Sequence, residues 1–433
     1  MNNFLKILLI FIFITNCSLH KNSKFWSEKK IVKEKQENIK ELLKKEENLS
    51  SEFNQSLKIS LYSKAIDKSF LNNFDNNNGR IDFIGDLKNI SKYKFKKIKN
   101  FHQYDPKILF YKNDIIFFDN EGSILRFNND KNLVWKKNIY TKAEKKQNPI
   151  LLFANNNKML LVADNISKYY ALDINTGELL WSKNNAAPFN SQLKVYKDKL
   201  FVIDFANTLR AYSINNGNEI WSIKTQNSFI RSQKNLSMVV VDDKIYFNNF
   251  LGDIIAVEIK SGEMLWQTPT QSSLGYDGNL LLKTSDIIAD KDTLYFSNNK
   301  NQFFSFDIQT GTLNWQQKIN SNLRPTLIDN YIFTVSLDGY LIVIEKNSGN
   351  IIRITDAFKN FKIKKRKKIK PTGFIVGNNN VYLTTDHGRL IVLNVVTGKV
   401  LSIVKIDNDK ISRPSVLSQN MFIVTDNSII KLN

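Results

Sequence analysis

Short apolar runs alternate with turn-forming residues along most of the chain from Gly79 onward. The runs are rich in β-branched or aromatic residues and are bounded by Asn, Asp or Gly, as short β-strands are. Six of them occupy residues 158–162, 199–203, 244–247, 293–296, 331–335 and 381–384. A second alternating strand and a turn follow each run. The pattern therefore predicts an all-β fold built from repeated short strands.

The turns repeat a Gly that is followed four residues later by Trp or by a substitute for it. The pairs are Gly177/Trp181, Gly217/Trp221, Gly262/Trp266, Gly311/Trp315, Gly349/Arg353 and Gly398/Ser402. The residue before each Gly is Thr, Ser or Asn, and the residue five before it is apolar. Polar side chains can close such a turn, Gly supplies positive φ, and the apolar residue is available for burial.

The Trp column extends upstream to Trp135, where Lys131 takes the place of the Gly. Successive column positions are about 44 residues apart on average, within the range of four-stranded propeller blades. Residues 79–433 suffice for eight blades, and the alternating run 89–98 should pair with the last strands, 421–425 and 428–432, to close the ring. The prediction is an eight-bladed β-propeller. A β-sandwich array or a β-solenoid is the alternative, although solenoid periods are shorter and sandwiches do not repeat Gly-x3-Trp so regularly.

Residues 1–16 carry one charge, Lys6, and the apolar run 7–14, which is too short for a permanent membrane span. This composition predicts an export signal. Cys17, the only cysteine, follows it directly, and residues 14–17 resemble a bacterial lipobox, which implies cleavage before Cys17 and lipid attachment to it. The alternative is an ordinary signal followed by a chance cysteine. A single thiol allows no internal disulfide, so the core must hold the fold together.

Residues 17–78 are rich in Lys, Glu, Asn and Gln, with Ile39, Leu42, Leu49 and Phe53 at roughly helical intervals. This segment is predicted to be a partly helical tether that precedes a propeller domain at 79–433. An amphipathic helix that docks on a partner or a membrane surface is the alternative.

The formal net charge is +21. An exported protein meets anionic lipid headgroups or polysaccharide before nucleic acid, although the abundant Lys and Asn also suit an AT-rich genome. The densest basic cluster, at residues 362–370, is predicted to be an inserted surface loop, either simply solvated or a binding patch.

Candidate catalytic groups are few, because the chain has only His20, His102 and His387. The sequence has no zinc-type Cys/His spacing, no haem-attachment motif and no Gly-rich phosphate loop. The Asp-rich stretch 286–292 lacks the spacing of a calcium loop and is predicted to form a β-turn, as is His387. The Trp column is predicted to pack between blades. The sequence thus predicts no catalytic, cofactor-binding or metal-binding residue.

The form Ala-Leu-Asp-x-x-Thr-Gly-x-x-x-Trp at residues 171–181 resembles the PQQ-like propeller repeat. Quinoprotein dehydrogenases and non-enzymatic scaffolds share this repeat, so it does not decide function. The dehydrogenases typically have a pair of adjacent cysteines, a calcium ion and an Asp base. A chain whose only cysteine is Cys17 cannot supply the pair.

The lipobox, the Trp column and the closing strand together resemble the BamB family. Four segments support the resemblance: Arg324-Pro325-Thr326, Asp338-Gly339-Tyr340-Leu341, Asn394-Val395-Val396-Thr397-Gly398 and Arg413-Pro414-Ser415. The resemblance implies a non-catalytic scaffold of the outer-membrane β-barrel assembly machinery, lipid-anchored in the cell envelope and facing the periplasm. It would be a monomer within a hetero-complex with the barrel-inserting subunit, without a cofactor or nucleic acid.

The same resemblance implies a partner-binding loop after Trp221. The family's Leu-x-Leu-Arg stretch corresponds in this chain to Ser228, Ile230 and Arg231, with Ser228 in place of the first Leu. Asp277 and Asp286 lie near the position of the family's paired acidic residues without matching it well. Two other functions stay open: a quinone-dependent periplasmic dehydrogenase, and an envelope polysaccharide- or peptidoglycan-binding module that uses the basic loop.

Overall fold

The computed structural model describes residues 51–65, 79–226, 234–271 and 281–433. These residues form eight antiparallel four-stranded sheets, which are the blades of a β-propeller. Seven blades are each built from four consecutive strands, and the eighth combines the first strand of the chain with the last three. The predicted all-β, eight-bladed architecture is confirmed.

The strands of blades 1 to 4 follow one another along the chain. Blade 1 contains β2 (Leu109–Tyr111), β3 (Asp114–Phe118), β4 (Ile124–Phe127) and β5 (Leu133–Lys137). Blade 2 contains β6 (Leu151–Asn155), β7 (Met159–Asp164), β8 (Lys168–Asp173) and β9 (Leu179–Asn184). Blade 3 contains β10 (Lys194–Tyr196), β11 (Lys199–Ile203), β12 (Thr208–Ser213) and β13 (Glu219–Lys224). Blade 4 contains β14 (Met238–Val241), β15 (Lys244–Asn248), β16 (Ile254–Glu258) and β17 (Met264–Thr268).

Blades 5 to 8 complete the ring. Blade 5 contains β18 (Ile288–Ala289), β19 (Thr293–Asn298), β20 (Gln302–Asp307) and β21 (Leu313–Gln317). Blade 6 contains β22 (Thr326–Ile328), β23 (Tyr331–Val335), β24 (Tyr340–Glu345) and β25 (Ile351–Asp356). Blade 7 contains β26 (Pro371–Val376), β27 (Asn380–Thr385), β28 (Arg389–Asn394) and β29 (Val400–Lys405). Blade 8 contains β1 (Asn89–Lys94), β30 (Ser415–Leu417), β31 (Asn420–Val424) and β32 (Ser428–Leu432). One-turn helices α1 (Lys142–Lys145) and α2 (Ile363–Arg366) lie in connections between blades.

The ring closes where the first strand pairs with the last, as the sequence predicts. Strand β1 runs antiparallel to β32, with Tyr93 opposite Ile429. The buried Tyr93 ring contacts Phe422 of blade 8 and Phe127 of blade 1, and its hydroxyl donates to the carbonyl of Asn129 at 3.2 Å. Closure therefore joins blades 8 and 1 by side-chain packing and pairs one edge of β32.

The predicted packing role of the Trp column is confirmed. Each Trp ring from Trp135 to Trp315 lies against the turn Gly of the next blade, where a Cβ atom would come within 3 Å of the ring. Trp181, for example, covers Gly217 (φ +69°), and its Nε1 donates to the carbonyl of Ile214 at 2.9 Å. The Gly thus combines positive φ with a close approach that no side chain permits.

Between blades 6 and 7, Arg353 replaces the Trp. Its side chain is fully buried against Gly398. The guanidinium donates to the carbonyls of Val395 (2.9 Å) and Val396, and to that of Leu57 at 3.1 Å. An indole has one donor and a guanidinium has several. The substitution therefore lets this position bind another segment of the chain in addition to blade 7.

The additional segment is residues 51–65, which lie within the predicted tether. Phe53 exchanges two backbone hydrogen bonds with Ile354, at 3.1 and 3.0 Å. Ile59 is buried, and its amide donates to the carbonyl of Val396 at 3.0 Å. This part of the chain is therefore packed along blades 6 and 7.

Antiparallel blades divide their loops between two ends of the propeller. The turn between the second and third strands of each blade lies at the same end as the connection to the next blade. We call this end the connection end. The other two turns of each blade, including the Gly turn that the Trp column covers, lie at the opposite end.

Candidate functional site

A cavity of about 600 Å³ opens at the connection end, where the chain enters the innermost strands around the propeller axis. We call it the central funnel. Its lining comes from the segments that precede β2, β14, β18, β22 and β30, and from the start of β26. Six of the eight blades therefore contribute to one site, and its volume falls in the range of small-molecule sites.

The lining is strongly basic. Among the residues that the structure describes, it contains six Lys or Arg side chains and two carboxylates, which is a formal excess of four positive charges. The cationic residues are Lys107, Lys234, Lys283, Arg324, Lys410 and Arg413, and the acidic residues are Asp105 and Asp286. Low-dielectric walls concentrate such a field, so the funnel attracts anions.

Asp286 is the acidic centre of this cluster. Its Oδ2 lies 3.2 Å from Nζ of Lys107. Burial alone would raise the pKa of Asp286, but the surrounding cations outweigh burial and hold the pKa well below its usual range. Those cations are Lys107, Lys234, Arg324 and Arg413. One ionised carboxylate is thus shared among four positive groups.

Lys234 and Arg413 are held by backbone carbonyls. Nζ of Lys234 donates to the carbonyls of Thr284 (2.5 Å) and Asn322 (2.6 Å), and burial lowers its pKa to about 8. Nε of Arg413 donates to the carbonyl of Phe374 at 2.7 Å, and burial lowers its pKa to about 10. These positive charges are partly desolvated, which strengthens their interaction with any anion that enters.

The absence of a side chain at Gly373 leaves room for Arg413 to line the funnel. A Cβ atom at Gly373 would lie 2.4 Å from Cβ of Arg413 and 2.9 Å from its Cα. Because one of these contacts is with backbone, a larger residue at 373 would push Arg413 out of position.

The predicted partner-binding residues Ser228, Ile230 and Arg231 lie outside the described residues, and so does Cys17. The loop that carries the first three lies between Gln226 and Lys234, and Lys234 lines the funnel. Asp277 also lies outside the described residues.

The prediction that residues 286–292 form a β-turn is wrong for Asp286. Only Asp290 to Asp292 belong to the turn between β18 and β19, whereas Asp286 precedes β18 and lines the funnel. Asp286 could not be placed from sequence because its neighbours in the fold come from blades far away along the chain.

The basic cluster at 362–370 is a connection between β25 and β26, as predicted for a surface loop. Its Lys side chains are exposed, but Ile369 is fully buried, and Arg366 pairs with Asp356. His387 occupies the turn after β27, with Nδ1 2.7 Å from Oδ1 of Asp386. Both features are accounted for by local structure.

The described ranges show neither a metal cluster nor a membrane-spanning helix. Within residues 51–65, 79–226, 234–271 and 281–433, no three His, Cys, Asp or Glu side chains gather where they could hold a metal ion. In the same ranges, no helix is both long enough and apolar enough to cross a membrane.

The repeat and the closed ring define the chain as an eight-bladed propeller of the PQQ-like class. The model of the family described as outer membrane protein assembly factor BamB matches residues 120–355, from blade 1 to the end of blade 6. The match covers more than half of the chain. The chain therefore belongs to the BamB family, and the resemblance inferred from its sequence is confirmed.

Solved structures share the fold at low sequence identity. BamB from Moraxella catarrhalis superposes with a TM-score of 0.66 and 15% identity, covering 80% of this chain and 99% of that one. The quinohemoprotein alcohol dehydrogenase of Comamonas testosteroni gives a TM-score of 0.63 and 10% identity, covering 82% and 78%. The computationally designed protein Ika8 gives 0.58 and 12%, covering 78% and 99%. No curated protein matched by sequence.

Proposed function

We propose that this protein is a non-catalytic, lipid-anchored scaffold of the outer-membrane β-barrel assembly machinery that binds the barrel-inserting subunit. The observation that carries the proposal is the family match over residues 120–355 on a closed eight-bladed ring. A ring whose blades are locked by Trp and Gly contacts is a rigid platform, and a rigid platform lowers the entropy cost of binding.

The lipid anchor is proposed from Cys17 and the apolar run before it. The segment 51–65, which follows the proposed anchor in sequence, is hydrogen-bonded to blades 6 and 7. A lipid on Cys17 would therefore hold the propeller through a segment that is fixed to its side.

The non-catalytic role is supported by the chemistry of the funnel. A calcium ion in a quinoprotein site needs oxygen ligands, above all carboxylates, whereas the described lining of this cavity has three times as many cationic side chains as carboxylates. An adjacent cysteine pair is also impossible in a chain with one cysteine. The residues of the funnel therefore do not fit a quinone-dependent dehydrogenase site.

The partner surface is proposed to include Ser228, Ile230 and Arg231. An aliphatic residue beside Arg is a composition that interface hot spots favour. Co-purification of the tagged protein with the barrel-inserting subunit tests the proposal, and reproducible absence of that subunit from the purified complex would refute it.

Charge reversal at Arg231 sharpens this test. Arg231→Glu should weaken the association at least tenfold, because a hot-spot substitution costs about 2 kcal/mol or more. The matched control is Lys260→Glu, which makes the same change of charge on an exposed turn at the opposite end of blade 4. Binding is measured by titration calorimetry with the purified partner domain. Equal affinity of a folded Arg231→Glu protein would remove this loop from the proposed interface.

A further inference from the structure

We infer that the central funnel is a binding site for a compact multivalent anion, one that carries two or more phosphate or carboxylate groups. This site is independent of the proposed partner loop, and it follows from the placement of charge around the propeller axis.

The described lining of the cavity carries a large excess of positive charge. Among the described residues, six cationic side chains and two carboxylates line about 600 Å³. Asp105 is exposed, so Asp286 is the one part-buried carboxylate of the described lining. Placing this many like charges together is unfavourable unless anions compensate them. A single carboxylate cannot compensate the set.

Two of the cations are held in place by backbone carbonyls. Lys410 donates to the carbonyl of Tyr104 at 2.7 Å, and Nε of Arg413 donates to the carbonyl of Phe374 at 2.7 Å. Because a carbonyl carries no formal charge, these hydrogen bonds fix the two positive groups without cancelling their charge. Fixed, partly desolvated donors with a net charge are the arrangement that recognises oxyanions.

The funnel is open to solvent at one exposed lysine. Lys283 lies on the lining and is exposed, and within the described residues its side chain makes no hydrogen bond or ion pair. An anion that enters from the connection end can therefore reach a solvated lysine first and the less exposed cations afterwards. The volume accommodates a di- or triphosphate or a tricarboxylate rather than a polymer.

Titration calorimetry of the full propeller with pyrophosphate and, separately, with citrate tests the inference, with acetate as the monovalent control. One equivalent of at least one multivalent anion should bind with a Kd below about 1 mM at low ionic strength, and acetate should not. Binding of pyrophosphate alone would assign a phosphate ligand, and binding of citrate alone a carboxylate ligand.

Two variants change the charge of the funnel in opposite directions. Lys283→Gln should weaken binding about twofold to fivefold, as expected for an exposed pair. Asp286→Asn removes the competing carboxylate and should tighten binding about tenfold. Lys260→Gln, at the opposite end, is the control for net charge. If Asp286→Asn does not fold, Lys283→Gln alone decides. Absence of multivalent binding, or affinities that both folded funnel variants leave unchanged, would overturn the inference.

Discussion

At the scale of single residues, one recurring position closes the turn between the second and third strands of every blade. The residue is Asp, Asn, Ser or Thr, and its side-chain oxygen accepts a backbone amide a few residues further on. The positions are Asp119, Asp164, Asp204, Asn249, Asn298, Ser336, Thr385 and Thr425. The Gly repeat can be recognised in the sequence, whereas this polar turn position cannot, because four residue types occupy it.

Asp164 provides a test of this position, because burial raises its pKa to about 6. The hydrogen bond that Asp164 accepts from the hydroxyl of Tyr140, at 2.6 Å, lowers the pKa but does not offset burial. The folded state therefore keeps a proton that the unfolded carboxyl, with a pKa near 3.8, has lost. The stabilisation is full below pH 3.8 and disappears as the pH rises through 6. Relative to wild type, Asp164→Asn should gain about 2 kcal/mol of unfolding free energy between pH 4 and 7.

Urea denaturation at each pH measures this difference. The control is Asp173→Asn, in which the amide of Thr176 holds the pKa of Asp173 below its ordinary value. Asp173 stays ionised throughout the range, so its variant should show a constant offset from wild type. A constant offset for Asp164→Asn as well would show that Asp164 is ionised in the folded protein at pH 4.

At the scale of elements, the strands and the closure of the ring could be predicted because period, turn chemistry and strand composition repeat in sequence. The packing of residues 51–65 on the ring could not. It depends on Arg353, which in the sequence stands only as a substitute in the Trp column. The extra donors of Arg353 matter because the carbonyl oxygen of Leu57 lies 3.1 Å from its Nη1. No local sequence pattern encodes that contact.

Arg353→Ala should therefore loosen blades 6 and 7 and release the segment 51–65. The variant removes three hydrogen bonds and leaves a buried cavity, at a cost of about 2 to 4 kcal/mol. Lys359→Ala is the control, because Lys359 also faces this segment, through Glu52 at 3.7 Å, but is exposed and should cost less than about 1 kcal/mol. Limited proteolysis within 51–65 and thermal unfolding are the measurements. If residues 51–65 were protected from proteolysis equally well in Arg353→Ala, Arg353 would not be what holds this segment on the ring.

At the scale of the whole molecule, the central funnel is a property of the ring that no single blade carries. The sequence singled out the segments containing Arg324 and Arg413 as family features, and the structure brings both to one cavity with Lys107. Their meeting could not be predicted, because the lining comes from connections between blades, where the repeats differ most in length and composition. Periodicity predicts how a blade is built, and it contains no information on what the connections assemble.

The funnel should bind anions in a pH-dependent way, because Lys234 loses its charge within an accessible range. Burial lowers its pKa to about 8, so the amine is mostly protonated at pH 7 and mostly deprotonated at pH 9. The other charged groups that act on it are Asp286, Lys107, Asp105 and Lys283. Citrate is fully ionised above pH 7, so its affinity should fall about tenfold between pH 7 and 9.

The same loss of charge requires a proton to be taken up when citrate binds above pH 8, since the anion restores the ammonium of Lys234. Calorimetry in two buffers with different ionisation enthalpies measures that proton directly in the wild-type protein. Lys234→Gln, which keeps a donor but cannot titrate, should bind citrate more weakly at pH 7 and show no further loss at pH 9. An affinity that is flat from pH 7 to 9 in wild type, without proton uptake, would mean that Lys234 does not face the bound anion.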